Sequence, residues 1–130
     1  MTERFVPSRS DYAFSFEVVD RDDDFVRCRV PFSEELTNTV GSVQAGLMIW
    51  LADLAATTLA GDRAEIDDDG SGFPLLLDLH ASLLSNQREG DIFAEARIVR
   101  QGRRVTVVRT RVTGPDDTTL AEVTTTHLAA

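Results

Sequence analysis

Residues 43 to 60, VQAGLMIWLADLAATTLA, restrict the fold of this chain more than any other stretch. The only polar members are Gln44, Asp53, Thr57 and Thr58. A proline-free run rich in Ala, Leu and Met favours a helix, and apolar side chains on nearly every face require surroundings that bury it all round. Ala52, Ala55 and Ala56 would let a sheet backbone come close, and Gly61 is expected to end the helix in the usual C-terminal glycine position. Burial in a membrane is the alternative. It is opposed by the carboxylate of Asp53 at the centre and by the lack of a Lys or Arg cluster at either end. The helix must therefore be wrapped by protein, and Asp53 in its middle needs a reason.

The rest of the chain supplies the wrapping. DYAFSFEVVD (residues 11–20) and FVRCRV (25–30) alternate apolar and polar residues as half-buried strands do, and DRDDD between them reads as a polar turn of a hairpin. Pro31 ends the second strand, and FSEELTN leads irregularly into the helix. After the acidic surface loop GDRAEIDDDGSG come four strand-like runs: FPLLLDLHASLL, DIFAEARIVR, RVTVVRTRV and TTLAEVTTTHLA. The short gaps between them, at Gly90, Gly102 and GPDD, favour antiparallel neighbours. The expectation is a single domain over 1–130 of the α+β class, a curved antiparallel sheet of about six strands around one long central helix. One sheet covers such a helix only partly, so a second copy of the chain is expected to complete the enclosure.

The formal net charge of −9 argues against nucleic-acid binding, which needs clustered cations facing phosphates. All the basic residues are arginines, and Arg88, Arg97, Arg100, Arg103, Arg104, Arg109 and Arg111 crowd one late stretch. Arginines alternating along exposed strands are the plain reading; their forks also suit a phosphorylated small molecule. Cys28 is the sole cysteine and can form no intramolecular disulfide, and MTERFVPSRS lacks the apolar run of a secretory signal. A cytoplasmic protein is expected. No spacing of His, Cys and carboxylates suggests a metal site and no phosphate-binding glycine loop is present, so no cofactor is expected.

The layout, together with NTVGSVQAGLMIWLAD at residues 38 to 53, resembles the hotdog-fold acyl-CoA thioesterases of the phenylacetic-acid-degradation (PaaI-like) type. That family's pattern is an Asn, a Gly three residues on, His-Gly-Gly, and an Asp nine residues after the His. Asn38, Gly41, Gly46 and Asp53 match it; Gln44 stands in place of the His and Ala45 in place of the first Gly. The later REGDIFAEARIVRQGRRVTVVRTRV is similar to the family's alternating strands with their QGR hairpin. The resemblance spans roughly residues 12 to 128. It implies a soluble acyl-CoA substrate, a homo-oligomer, either a dimer or a tetramer, and active sites at the dimer interface.

A thioester hydrolase must stabilise the oxyanion that develops on the acyl carbonyl and supply an activated water or a nucleophile. Free N–H groups of Ala45 and Gly46 at the helix start would face the developing charge with the helix dipole in the favourable sense. Asp53, flanked by Ile49, Trp50, Ala56 and Thr57, is the candidate general base or nucleophile. Gln44 either caps the helix start or hydrogen-bonds the carbonyl, and cannot carry a proton charge. Asn38 either makes a local turn or orients water or Asp53. Gly46 most simply permits a close backbone approach. Ala45 and Asp53 are eight residues apart, roughly 12 Å along a helix, so one helix cannot present both to one carbonyl. The site would combine the helix start of one protomer with Asp53 of another.

Arg100, Arg103 and Arg104, around a hairpin, are candidates for the phosphates of coenzyme A. His80 shares a strand face with Asp78 and Ser82, but no nucleophile is marked nearby; where the family often has a Ser or Thr two residues before the position of Asp78, this chain has Leu76. His127 reads as an ordinary strand residue. The expected function is hydrolysis of an acyl or aromatic acyl thioester to the free acid and coenzyme A. The rival is a non-catalytic hotdog protein that binds an acyl thioester or serves only in assembly. A dehydratase is disfavoured because Gln44 is not the His that hotdog dehydratases carry near this helix.

Overall fold

The computed structural model describes residues 15–129. Strands β1 (Glu17–Arg21) and β2 (Phe25–Val30) are followed by a 3-10 turn at Glu34–Leu36 and the helix α1 (Ala45–Asp62). Then come β3 (Pro74–Leu83), β4 (Ile92–Gln101), β5 (Val105–Thr113) and β6 (Thr119–Ala129). The strands form one six-stranded antiparallel sheet in the order β1-β2-β4-β5-β6-β3, so β1 and β3 are its edges. The helix lies across one face. This is the hotdog architecture that the alternating runs and the apolar helix imply.

Period-two alternation decides which side chains meet the helix. Val26, Cys28 and Val30 of β2, Ile92, Ala94 and Ala96 of β4, Val108 and Val112 of β5, and Ala121 and Val123 of β6 are all fully buried. They form one core with Leu47, Met48, Leu51, Ala55 and Leu59 of α1. Ala94, Ala96 and Ala121 of the sheet share this core with Ala52, Ala55 and Ala56 of the helix, small residues on both layers. No helix of the described residues is long and apolar enough to cross a membrane.

Two expectations need correction. The first strand was expected over 11–20; the described part of it begins at Glu17, and residues 11–14 lie outside the described residues. The helix does not stop at Gly61 but runs to Asp62. Gly61 is buried and is not among the glycines with positive φ, so it serves as a small helical residue. The last turn is held from outside, because the Arg21 guanidinium of β1 grips the Asp62 carboxylate with both Nε and Nη2. That cation also offsets an aspartate at the unfavourable end of the helix dipole.

Candidate active site

The start of α1 is fixed by the loops before β4. Asn86 donates from Nδ2 to the Val43 carbonyl at 2.9 Å and accepts from the Val43 N–H at 3.1 Å, while the Gln44 N–H donates to the Leu36 carbonyl at 2.9 Å. Leu47 and Met48 N–H reach back to the Gln44 carbonyl. The N–H groups of Ala45 and Gly46 have no acceptor among the described residues, and both residues are exposed. They are the open donors of the first turn. A Cβ at Gly46 would meet nothing within 4 Å, so within one chain this glycine accommodates no close approach.

Gln44 occupies the N-cap position but makes no side-chain cap; its Nε2 donates instead to the Thr37 carbonyl at 3.1 Å. Capping is thus not its role here. Asn38 shapes the loop ahead of the helix: its Oδ1 accepts from the N–H of Val40 (3.0 Å) and Ser42 (3.2 Å), and its Nδ2 lies 3.0 Å from Ser42 Oγ. Gly41 in that loop has φ +82°, a conformation glycine adopts without strain. Both side chains therefore hold the approach to the helix start.

Asp53 sits at mid-helix and is half-buried. Gly46, Ile49, Trp50 and Asp53, at helical spacing, are the positions of one stripe that the sheet leaves partly or wholly uncovered. Phe16 meets Trp50 edge-on over part of this stripe, with ring centroids 5.8 Å apart. Thr57 Oγ1, one turn on, donates to Asp53 Oδ1 at 3.0 Å. No described cation forms an ion pair with Asp53. The carboxylate is thus oriented by a hydroxyl, with no ion-pair partner among the described residues.

The sheet brings a residue near Asp53 that the sequence reading passed over. His127 of β6 is 1% exposed, and the Asp53 carboxylate lies close enough to favour its protonation. Its Nδ1 faces the Pro74 carbonyl at 3.4 Å and its Nε2 lies 2.8 Å from Thr125 Oγ1. A carbonyl only accepts, which assigns the proton to Nδ1 and leaves Nε2 to accept from Thr125. Burial pushes the imidazole below its ordinary pKa, against smaller opposing effects of the Pro74 hydrogen bond and the Asp53 charge. The signal was in the alternation, since Ala121, Val123, Thr125 and His127 are in phase and all point inward.

His127 also floors a cavity of about 180 Å³ at the C-terminal end of α1, where Arg103 and Arg104 are among the lining residues. Arg100 is not one of them; a bulge between Ile98 and Arg100 places it opposite Val107, on the far side of the sheet. The same period puts Asp78, His80 and Ser82 on that far face, away from Asp53. Among the described residues no cluster of His, Cys and carboxylates could hold a metal ion.

The fold defines a class, the hotdog proteins. A six-stranded sheet and single helix of this kind are shared with a thioesterase of Haemophilus influenzae, at a TM-score of 0.77 and 17% identity over 87% of this chain and 76% of that one. A Streptococcus mutans protein solved with acetyl CoA bound is similar at a TM-score of 0.82 and 18% identity, covering 98% of this chain and 97% of that one. Residues 35–128 match the acyl-CoA thioesterase N-terminal domain, and the chain belongs to that family. A protein of Halobacterium salinarum provisionally named an esterase is 34% identical over 110 residues, which cover 82% of this chain and 71% of that protein.

Proposed function

We propose that this protein is a cytoplasmic acyl-CoA thioesterase of the PaaI-like type, hydrolysing an acyl or aromatic acyl thioester in a site shared between protomers. The observation that carries the reading is Asp53, a half-buried carboxylate in an apolar helix, oriented by Thr57 and paired with no described cation. Family membership and the acetyl-CoA-bound structural neighbour support the substrate class.

In this mechanism the open N–H groups of Ala45 and Gly46 in one protomer stabilise the oxyanion, with the Gln44 amide beside them. Asp53 of the other protomer activates water or attacks the carbonyl itself. Asn38 keeps the loop before the helix in shape, and Arg103 and Arg104 meet the coenzyme A phosphates, with Arg100 flanking their hairpin. The edge strand β3 supports assembly of two copies: its outer sheet edge is unpaired among the described residues, and Leu75, Leu76, Leu77, Leu83 and Leu84 at or beside it are 38% to 61% exposed.

The test is thiol release from short, medium, long and aromatic acyl-CoAs by wild type and by an Asp53→Ala variant shown to keep its oligomeric state. Loss of a general base or nucleophile should lower kcat by about a hundredfold or more. Equal rates remove Asp53 from the mechanism. No turnover by wild type on any substrate favours the binding or assembly protein, for which the missing family His at Gln44 already speaks.

A further inference from the structure

The face of the sheet turned away from α1 carries a charge pattern that thioester hydrolysis does not use. One cross-strand row runs Arg27, Glu95, Arg111, Glu122, each cation opposite a carboxylate. The next row runs Phe25, Arg97, Arg109, Thr124, and there two arginines stand directly opposite each other. Like charges so placed destabilise an antiparallel pair. Glu95 offsets part of this, hydrogen-bonding Arg97 and lying 3.5 Å from Arg27. Asp117 and Thr119 hold Arg111, which also stands opposite Glu122 in the register. Arg109 has no ion-pair or hydrogen-bond partner among the described residues.

Both rows open onto a groove of about 460 Å³, lined by the four arginines Arg27, Arg97, Arg109 and Arg111, by the carboxylates Glu95, Asp117 and Glu122 already set against Arg27, Arg97 and Arg111, and by Val99. That volume lies within the range of small-molecule sites. Val99 is 49% exposed because the bulge between Ile98 and Arg100 turns it outward. The Arg97 guanidinium lies 5.1 Å from the centre of the Phe25 ring and that of Arg27 lies 4.5 Å from the centre of Phe93, contacts that hold the flat groups in place.

We propose that this groove binds a small organic phosphate, its dianionic head bridging Arg97 and Arg109 and its apolar body resting on Val99. Side chains directly opposite in an antiparallel pair start about 5 Å apart, so one tetrahedral head reaches both guanidinium forks. A monoanion neutralises one arginine and leaves the other opposed; a phosphate ester carries nearly two charges above pH of about 6. The groove is on the opposite face of the sheet from Asp53, and it uses neither Arg103 nor Arg104. Its occupancy is therefore independent of the thioesterase reading.

Titration calorimetry of the full chain at about pH 7.5 with phenyl phosphate, inorganic phosphate and benzoate tests this. Phenyl phosphate is expected to bind once per chain, about tenfold tighter than either other probe, and to weaken about tenfold in Arg109→Gln. Arg109 is exposed, so that variant should retain the wild-type melting temperature and oligomeric state, and its thiol release should be unchanged. A double Arg103→Gln, Arg104→Gln variant should bind phenyl phosphate as wild type does. No binding, or equal binding by Arg109→Gln, overturns the proposal. So does loss of binding in the double variant, which moves the site to the other cavity. Benzoate binding as tightly as phenyl phosphate refutes the dianion argument, and inorganic phosphate binding as tightly refutes the apolar wall. A change of oligomeric state in Arg109→Gln assigns the row to an interface between copies instead.

Discussion

His127 should make this protein lose stability on mild acidification, by an amount the structure bounds. The ring is 1% exposed and neutral, with Nδ1–H directed at the Pro74 carbonyl and Nε2 accepting from Thr125. Protonation would charge a desolvated group and turn Nε2 into a donor facing a hydroxyl that now donates to it. Burial is the largest effect on the imidazole and lowers its pKa from the ordinary 6.5; Pro74 and Asp53 oppose it. In the unfolded chain the same histidine takes up a proton near 6.5, so below that pH the unfolded state binds more protons than the native one. The contribution is therefore complete above 6.5 and is lost as pH falls toward the depressed native value.

One proton difference corresponds to about 1.4 kcal/mol per pH unit, the steepest slope His127 alone can give. Urea unfolding of wild type and His127→Gln from pH 7.5 to 5 measures it, because groups common to both proteins cancel in the difference. The variant should be less stable at pH 7.5, where it gives up a fitted ring, and the gap should narrow by up to about 1.4 kcal/mol for each unit below 6.5. A gap that stays constant with pH, or widens on acidification, refutes the assignment of a buried neutral imidazole.

Cys28 faces the core from β2, and burial, opposed by the Arg21 charge, pushes its thiol up to about 12; it should resist an aromatic disulfide reagent at pH 8 in native protein and react at once in urea, and rapid native labelling would contradict that burial. Leu59, fully buried against the sheet, should cost about 2 to 5 kcal/mol when changed to Ala, read as a lowered urea midpoint at unchanged slope.

The fold was legible because its two periods are strong. FVRCRV alternates so regularly that β2 follows with its inner face, RVTVVRTRV is rich enough in β-branched residues to give β5, and the apolar helix has one means of burial. Helix ends were less legible because they depend on tertiary partners. Gly61 looked like a stop, and the turn continues because Arg21, forty-one residues away in sequence, holds Asp62. Asn86 was invisible for the same reason, since its clamp on Val43 crosses the chain between two loops. At the candidate site, Asp53 announced itself as a charge out of place, whereas TTTH in β6 looked merely polar. Thr125 and His127 hide in that run because polar residues alternate there on both faces, and only the phase with Ala121 and Val123 separates inner from outer.

That phase gives the helix its context. The β2–β4 half of the inner face is apolar, while β6 presents Thr125 and His127 to the side where Asp53 and Thr57 lie. Burying so many polar groups in one corner is costly unless each finds a partner. Thr57 serves Asp53, Thr58 donates to the Leu54 carbonyl at 2.7 Å, and Thr125 serves His127. Among the described residues the Asp53 carboxylate has one hydroxyl partner and no cation, while the open N–H groups of α1 lie roughly 12 Å away along the helix. A purely structural aspartate would be expected to take the nearest cation, as Asp62 takes Arg21. Among the described residues Asp53 takes none and accepts from Thr57 alone, the arrangement the proposed mechanism needs if its remaining lone pairs are to act on a substrate delivered from a second chain.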